Sequence, residues 1–353
     1  MLQFKIIEKQ DSWKNTLKNF NNIDCYYSYE YGNSFAKKEG GRLFAAYYED
    51  HDTKIFYPYI KRRIPHIEEE LFDIVTPYGY GGPVISGTYT NVFMMKFHEL
   101  FSSYCRLHNI ITETIRFHPL YQNYKICRNF WDIEYIRKTT AVDLTQSLEE
   151  IRNNYSEMTK RNIKKAKMNN LTCFIAENSE ENIRIFIDLY KETMDRNHAA
   201  SYYYFDEDTF FEQVKETDIS ETLLLFTKTN NEIIAGVMVL VGKEFSHYHL
   251  GASKTDYLHF RPNNLMFDFM IESCKSKGSS VLHLGGGYQE NDGLFKFKAS
   301  FTNDHYFKYY IGKKVHNLVR YNEVIEGLKE QYELNERYFP IYRGQMEKRK
   351  IRT

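Results

Sequence analysis

The same order of predicted secondary structure occurs twice along the 353-residue sequence. Each copy predicts a hairpin, a strand, a loop, a helix and a last strand, first over Arg42–Pro119 and again over Thr222–Gly287. An internal repeat of this kind predicts two units with the same fold. We therefore expect an α/β protein of two tandem domains with mixed central sheets. The expected ranges are residues 1–141 and 142–353, and a prior of roughly 150 residues per domain also gives two.

Charge and cysteine usage exclude several classes of protein. The 47 basic and 47 acidic residues cancel, so no overall field favours DNA or an anionic membrane. Five dispersed cysteines without a CxxC pair indicate neither a zinc site nor a disulfide framework. Residues 1–15 lack a signal-peptide pattern, and the longest apolar stretch, Ile233–Gly242, is too short to cross a bilayer. We expect a cytoplasmic protein without metal or membrane insertion, and the oligomeric state stays open.

The end of the second domain is predicted to be a helix and a tail. A helical pattern covers Val315–Asn335, and the basic tail that follows is predicted to be a solvated terminus. The basic residues of this tail are Arg343, Lys348, Arg349, Lys350 and Arg352.

The stretch Ser280–Phe301, SVLHLGGGYQENDGLFKFKASF, is the strongest candidate for a functional segment. A short buried strand is interrupted by Gly285, Gly286 and Gly287, and an amphipathic segment follows. Consecutive glycines cost backbone entropy, so they are typical of a sharp bend or of close approach to a ligand. A glycine-rich turn that merely ends the strand is the alternative.

Four blocks of this sequence resemble the FemAB-like branch of the GNAT acyltransferases. The blocks are Pro77–Pro83 (PYGYGGP), Met158–Ala166 (MTKRNIKKA), Met194–Phe205 (MDRNHAASYYYF) and the Leu284–Phe301 run with LGGG and FKASF. They occur in the order of the family. The resemblance implies two tandem GNAT-like domains, the first serving mainly the acceptor and the second binding the acyl donor and carrying catalysis.

In a GNAT domain, the loop and helix after the fourth strand bind the pyrophosphate of coenzyme A, because a helix N-terminus favours an anion. This position is filled here by Arg261, Pro262, Asn263, Asn264 and Leu265, with Asn263 as the expected N-cap. The usual glycines of the loop are missing, which is also true of Fem enzymes, whose donor is aminoacyl-tRNA. A capping turn that binds no ligand is the alternative.

The acceptor site is expected from three further segments. Those of the first domain are implied by the resemblance, whereas the arginine and tyrosines of the second are typical of diphosphate binding and base stacking. A plain aromatic core is the alternative for the tyrosines. The candidates are Ser28, Tyr31 and Lys37; Tyr78, Tyr80 and Gly81–Pro83; and Arg196, Tyr202, Tyr203 and Tyr204. Tyr288, in the Ser280–Phe301 stretch, is a further candidate for substrate binding.

Amide formation needs a neutral amine, an aligned carbonyl and stabilisation of the developing oxyanion. Asp292 is the preferred general base, with Glu290 and His283 as further candidates. His247 and His249 are predicted to share one face of a strand. The motif residue Lys298 is the candidate for neutralising the donor phosphate or the carbonyl oxygen.

The leading hypothesis is transfer of an acyl group from acyl-CoA to the amine of a nucleotide-linked amino sugar, for a surface polysaccharide. The alternative is a Fem-type transferase that uses aminoacyl-tRNA and a peptidoglycan precursor. Its best support is a basic cluster that suits a phosphate backbone. A catalytically inactive binding module is the third possibility. The residues of the basic cluster are Lys160, Arg161, Lys164, Lys165 and Lys167.

Overall fold

The computed structural model describes residues 3–230 and 232–348, so Asn231 of the predicted second hairpin turn and the tail residues Arg349, Lys350 and Arg352 lie outside the described residues. The fold is mixed α/β, as predicted. The strands are β1 (Gln3–Ile7), β2 (Gly41–Asp50), β3 (Thr53–Arg63), β4 (Phe72–Val75), β5 (Val84–Ser86), β6 (Ile110–Arg116), β7 (Asp132–Asp143), β8 (Thr172–Ala176), β9 (Ser220–Lys228), β10 (Ile233–Gly242), β11 (Phe245–Ser253), β12 (Val281–Gly285), β13 (Tyr306–Val315), β14 (Tyr332–Leu334) and β15 (Met346–Lys348). The α-helices are α1 (Gln10–Leu17), α2 (Tyr29–Lys38), α3 (Asn91–Leu107), α4 (Tyr124–Cys127), α5 (Leu148–Asn153), α6 (Glu157–Met168), α7 (Glu180–Arg196), α8 (Glu207–Gln213), α9 (Pro262–Ser276), α10 (Gly293–Ala299) and α11 (Leu318–Gln331).

The described chain forms two compact units that are not two consecutive stretches of sequence. Unit 1 comprises the chain up to Asn21, Phe35–Ile136 and the chain from Tyr309 onward, whereas unit 2 comprises Asn22–Ser34 and Arg137–Lys308. Two segments therefore fall differently from the predicted ranges 1–141 and 142–353. The early segment 22–34 packs with the second unit, and the C-terminal helix and the described residues after it pack with the first.

Unit 1 is built on the strands β1-β2-β3-β4-β6-β13, with β5 beside β3. The predicted first hairpin is confirmed, since β2 and β3 pair antiparallel from Asp50 with Thr53 onward. Strands β4 and β6 run parallel and pair from Phe72 with Ile110 to Val75 with Thr114. An aromatic cluster, which includes residues of α3, packs on this sheet.

Charged groups inside unit 1 are paired. The fully buried Asp73 accepts from Arg62 Nε at 2.9 Å and from Arg343 Nε at 2.7 Å, and Arg62 also pairs with Glu39. The prediction of a solvated terminus is therefore wrong for Arg343. A charge that pairs with a buried carboxylate is held in the fold, because separating it would leave that carboxylate uncompensated.

Unit 2 is built on the strands β7-β12-β11-β10-β9-β8. Strands β11 and β12 are parallel, and the other neighbours are antiparallel. Helices lie on both faces because β10 buries side chains on both. Val237 and Val239 join the apolar cluster of α5, α6 and α9, whereas a Cβ on Gly236 would meet Phe186 of α7 on the other face.

The segment Asn22–Ser34 is not one continuous helix. It contains a single 3-10 turn over Cys25–Tyr27, capped by the Asp24 side chain, and then extended backbone at Ser28 before α2 begins. This break allows the segment to follow the strands of unit 2 before the chain returns to unit 1.

Candidate active site

The parallel strands β11 and β12 separate partway along their length. Three residue pairs join them, and the last pair is His247 with His283. Just beyond it, the register between β10 and β11 shifts and leaves His249 as an extra residue of β11, which is a bulge that bends the strand. We call the resulting opening, between Tyr248 on β11 and Gly286 after β12, the wedge.

Lys298, on α10, lies in the wedge. Its Nζ donates to the Gly286 carbonyl at 2.8 Å and lies 4.9 Å from the centre of the Tyr248 ring. The side chain is buried, and within the described chain no carboxylate forms an ion pair with it. Burial lowers the pKa of Lys298 to about 7; the charge of Asp292 opposes this shift and Arg137 adds to it. A buried lysine with this pKa suits donation to developing negative charge or proton transfer at neutral pH.

The three consecutive glycines allow close contacts within the protein. Gly285 has a φ of +76°, a conformation that favours glycine. A Cβ on Gly286 would lie 2.7 Å from a backbone carbonyl of β7, and one on Gly287 would collide with the Asp292 carboxylate. Arg137 fastens the same loop by donating to the Gly287 carbonyl at 2.9 Å. The close approach that we expected for a ligand is thus made here by neighbouring backbone and side chains.

Asp292, the preferred base, is the N-cap of α10. Its carboxylate accepts from the backbone N–H groups of Phe295 at 2.8 Å, Tyr288 at 2.6 Å and Gln289 at 2.9 Å. Burial raises the pKa of Asp292, but these hydrogen bonds outweigh it and hold the pKa below its usual value. A carboxylate stabilised in its charged form is a weaker base, so the geometry favours a structural role.

Glu290 is also occupied by the backbone. Its Oε2 accepts from the backbone N–H of Lys138 at 3.0 Å, and the residue is exposed. This contact ties the loop after β12 to β7. Asp292 and Glu290 therefore both hold the conformation of the loop next to Lys298.

The histidine candidates lie away from Lys298. His247 shares a hydrogen bond of 2.8 Å with Asp24, His249 pairs with Gln213, and His283 lies 2.9 Å from the Thr139 hydroxyl. His247 also packs edge-on to Tyr26, and His249 to Tyr31, both in segment 22–34. Tyr248, between them in sequence, instead contacts Phe267 of α9 and Lys298. The histidines therefore face the side of the sheet covered by segment 22–34.

Burial also sets the charge of one of these histidines. It lowers the pKa of His249 to about 3, and the neighbouring His247 adds to the shift. His249 is neutral at physiological pH, so it contributes no positive charge to a bound phosphate.

The expected donor loop forms a tight entry to α9. Arg261, not the predicted Asn263, is the N-cap, in a left-handed conformation with a φ of +67°, and Pro262 takes the first helical position. Asn264 and Leu265 are buried. No side chain in the described residues caps this helix; Pro262 has no N–H, and the Asn264 N–H donates to the Arg261 carbonyl at 3.2 Å. The loop contains no glycine, so a Cβ stands at every position where GNAT loops carry one.

Among the candidates of unit 2, the arginine has a structural contact, whereas three of the tyrosines are exposed. Arg196 donates to the Ser253 carbonyl at 2.7 Å and to the Thr255 hydroxyl at 2.9 Å, so it fixes the end of β11. Tyr203 and Tyr288 meet edge to face at 6.2 Å. Tyr202, Tyr204 and Tyr288 are exposed, and Tyr204 donates to Asp195 at 2.8 Å.

The first-domain candidates have structural partners. Tyr78 stacks on Phe35 at 5.0 Å, and Tyr80 packs edge-on to Tyr309 at 5.4 Å. The Gly81–Pro83 segment is hydrogen-bonded to β6 and to the Asn123 amide, so it extends the sheet instead of forming a free wall. On α2 and the residue before it, Ser28 and Tyr31 are buried whereas Lys37 is exposed.

Sequence reasoning missed two residues of the wedge. Arg137 holds a carbonyl 150 positions away in sequence, and no local pattern indicates such a contact. Tyr248 had a usable signal, since strand alternation places it opposite to the neighbouring histidines. Lys298, Gly286, Asp292 and Tyr288 are brought together as the sequence motif suggested.

Comparison with known proteins places this site within a recognisable domain. Residues 153–298 match the family described as an acetyltransferase (GNAT) domain, a range that contains α6, the wedge and Lys298. No curated protein gives a significant match to the sequence.

Solved structures support the fold over nearly the whole chain. The crystal structure of FemX matches with a TM-score of 0.67 and 13% identity, covering 91% of this chain and 99% of FemX. The C-terminal domain of a proposed lysylphosphatidylglycerol synthetase from Agrobacterium fabrum matches at 0.53 and 12% identity, covering 90% and 95%. A tandem GNAT protein from the clavulanic acid pathway matches at 0.50 and 9% identity, covering 90% and 99%.

Such identities show the fold alone. The predicted mixed α/β fold with GNAT-like tandem relatives is therefore confirmed. Together with the family match over residues 153–298, it identifies a GNAT-type domain within the chain. Among the described residues, no helix combines the length and apolar character needed to span a membrane.

Proposed function

We propose that the protein transfers an aminoacyl group from an aminoacyl-tRNA to an amine of a peptidoglycan precursor. The observation that carries the transfer chemistry is the buried Lys298, held by the Gly286 carbonyl in the wedge. A cation or hydrogen-bond donor in a water-poor cleft stabilises an oxyanion far better than it would in water.

In this reaction the acceptor nitrogen attacks the ester carbonyl carbon of the donor. The carbon–nitrogen bond forms, the carbon–oxygen bond to the ribose breaks, and the proton lost by the amine is balanced by the one gained on the ribose hydroxyl. Lys298 donates a hydrogen bond to the carbonyl oxygen as negative charge develops there. The Tyr248 ring lies against the Lys298 amine, and the charge of Arg137 helps to lower the pKa of Lys298.

Three observations support an aminoacyl-tRNA donor over acyl-CoA. The entry to α9 lacks the glycines that let a pyrophosphate approach GNAT backbone closely. Helix α6 carries five basic residues and one acidic residue. The similar structures include FemX and a domain of a proposed lysylphosphatidylglycerol synthetase, and Fem-like proteins, which the motifs resemble, use aminoacyl-tRNA.

An acyl-CoA donor is the second candidate, favoured by the match to a family described as acetyltransferases. No comparison supports the nucleotide-linked amino sugar that the sequence led us to expect as acceptor. Under this second candidate, the uncapped N-terminus of α9, with Arg261, would have to hold the pyrophosphate.

The test supplies the full-length protein with bulk tRNA charged with radiolabelled amino acids, and with a lysine-containing nucleotide-linked peptidoglycan precursor. We expect label to move to the precursor, and the rate to fall strongly in Lys298→Met but not in Lys296→Met, which removes an exposed lysine of the same helix.

A parallel reaction supplies radiolabelled acetyl-CoA with the same acceptor and with amino-sugar nucleotides. Acetyl transfer without any aminoacyl transfer would overturn the proposed donor. Failure to consume either donor, with the fold intact, would favour the inactive binding module.

A further inference from the structure

Unit 2 contains a groove beside α6 that the transfer chemistry does not use. Its volume is about 530 Å³. Lys160, Lys164 and Lys167 recur at helical spacing along one side, and the apolar floor includes Tyr155 and Ile163. We call this feature the basic groove.

Carboxylates of the described residues compensate only part of the positive charge of the basic groove. Asp268, its acidic lining residue, is already bound by Arg152 at 2.8 Å and by the Tyr155 hydroxyl at 3.1 Å. Lys160 pairs with an exposed glutamate of its own helix, but Lys164 and Lys167 form no ion pair within the described residues. Lysines that find no carboxylate in the fold, as Lys164 and Lys167 do, are complementary to an external anion.

The basic groove is fastened to the helix that carries Lys298. The backbone N–H of Ser156, the N-cap of α6, donates to the Ser300 carbonyl at 2.9 Å, and the Thr159 hydroxyl lies 2.7 Å from the Ser300 hydroxyl. Ser300 is the C-cap of α10, two residues after Lys298. Tyr155 of the groove floor also packs on Phe301 at 5.2 Å. The basic groove and Lys298 therefore belong to one packed layer of unit 2.

We infer that the basic groove binds the phosphate backbone of the RNA that carries the transferred group. The inference rests on the proposed function and assigns it a second contact site, separate from the reacting ester. A polyanionic donor needs such a site, because its phosphates lead away from the carbonyl that Lys298 contacts. Lysines three or four residues apart on a helix, about 4.5 to 6 Å along the axis, present charges to successive positions of one strand.

A lipid surface is the competing occupant, and the shape of the site disfavours it. The lysines line a concave groove; of its apolar lining residues, Tyr155 and Ile163 are buried in the floor and Met168, at the end of α6, is exposed. An amphipathic helix that lies on a bilayer instead presents its apolar face outward.

The experiment measures binding of unfractionated, uncharged tRNA to the full-length protein from 50 to 200 mM salt. The variant is Lys160→Gln/Lys164→Gln/Lys167→Gln. The matched control is Lys191→Gln/Lys215→Gln/Lys277→Gln, which removes three exposed lysines elsewhere in unit 2. Three phosphate contacts contribute a salt slope of about 2 to 3, so the rise in salt should weaken the wild type about 20- to 40-fold more than the groove variant.

The control variant should keep the wild-type slope, and thermal unfolding should show both triple variants folded. Wild-type tRNA binding with an unchanged slope in the groove variant would overturn this inference while leaving the RNA donor in place. Absence of tRNA binding by the wild type at 50 mM salt would overturn the RNA donor itself. Binding to vesicles of anionic phospholipid that depends on the groove lysines, with tRNA binding unaffected by them, would assign the groove to lipid instead.

Discussion

The two copies of the repeated α/β unit close their parallel strand pair in different ways. In unit 1, β4 and β6 stay paired to the end of β4, and Gly81 continues the pairing by bonding to the Arg116 carbonyl at 2.7 Å. In unit 2, pairing of β11 with β12 stops at His247 and the wedge opens. One copy is closed by its own backbone, and the other holds a lysine at the opening.

The two copies also differ in whether their buried charge has a partner of opposite charge. Asp73 of unit 1 is satisfied by two arginines, which makes it part of the framework. Lys298 of unit 2 has a carbonyl and an aromatic ring as partners and carries a lowered pKa. Under the proposed function, the buried charge that lacks an opposite charge marks the unit that carries the transfer chemistry.

The largest expected effect is a loss of stability in unit 1. Asp73→Ala leaves the buried ends of Arg62 and Arg343 without their carboxylate, so we expect unfolding free energy to fall by about 3 to 5 kcal/mol. Urea denaturation measures it, with the exposed Asp52→Ala as control. A loss below about 1 kcal/mol would show that unit 1 does not depend on this network.

The next effect tests the reacting copy. Lys298→Met removes the donor at the wedge without burying a new polar group, so aminoacyl transfer should fall about 10²- to 10³-fold. Stability should be kept or increased, because the cost of burying an amine disappears. Single-turnover transfer rates and urea denaturation measure the two quantities. Full activity in this variant would end the assignment of Lys298 as a catalytic residue.

The pH profile sharpens the role of Lys298. Because its pKa is lowered to about 7, the protonated form is lost as pH rises through that value. The acceptor amine must lose its proton before it attacks, so kcat/KM rises with pH as long as Lys298 stays protonated. If the Lys298 cation stabilises the oxyanion, this rise levels off above pH 7 in the wild type and continues in Lys298→Arg, which stays charged. A wild-type profile that rises through pH 7 as steeply as that of Lys298→Arg would rule the cation out of this role.

The smallest effect separates a cap from a base. Asp292→Asn keeps an acceptor for the N–H groups at the start of α10, so activity should change less than about threefold, whereas Asp292→Ala should cost about 1 kcal/mol of stability. Thermal unfolding and transfer rates of both variants measure this. Loss of transfer in the folded asparagine variant would restore Asp292 as the base.

Local patterns predicted most of the fold. The bounds of β11 follow directly from the run FSHYHLGAS, and the hairpin β2–β3 follows from two β-rich runs around a polar turn. Both signals are short in range, so periodicity and turn chemistry suffice to find them. The order of these elements, occurring twice, then gave the tandem arrangement.

The candidate site was predictable only in outline. The motif identified Lys298, but its burial depends on α9 and β11 packing around it, which spacing does not reveal. Asp292 was interpreted as a base although an aspartate directly before a helix is also a typical N-cap. The Arg343 contact with Asp73 joins residues 270 positions apart, and a contact at that separation leaves no local pattern.

Segment 22–34 limits how this protein can be divided in the laboratory or in evolution. Because Asp24 reaches His247 at 2.8 Å, a gene fragment that begins at Arg137 would encode unit 2 without one side of a buried pair. The second repeat alone therefore does not contain all of unit 2. The N-terminal part of the chain supplies a piece of unit 2, so we expect unit 2 to need residues 22–34 in order to fold with this pair intact.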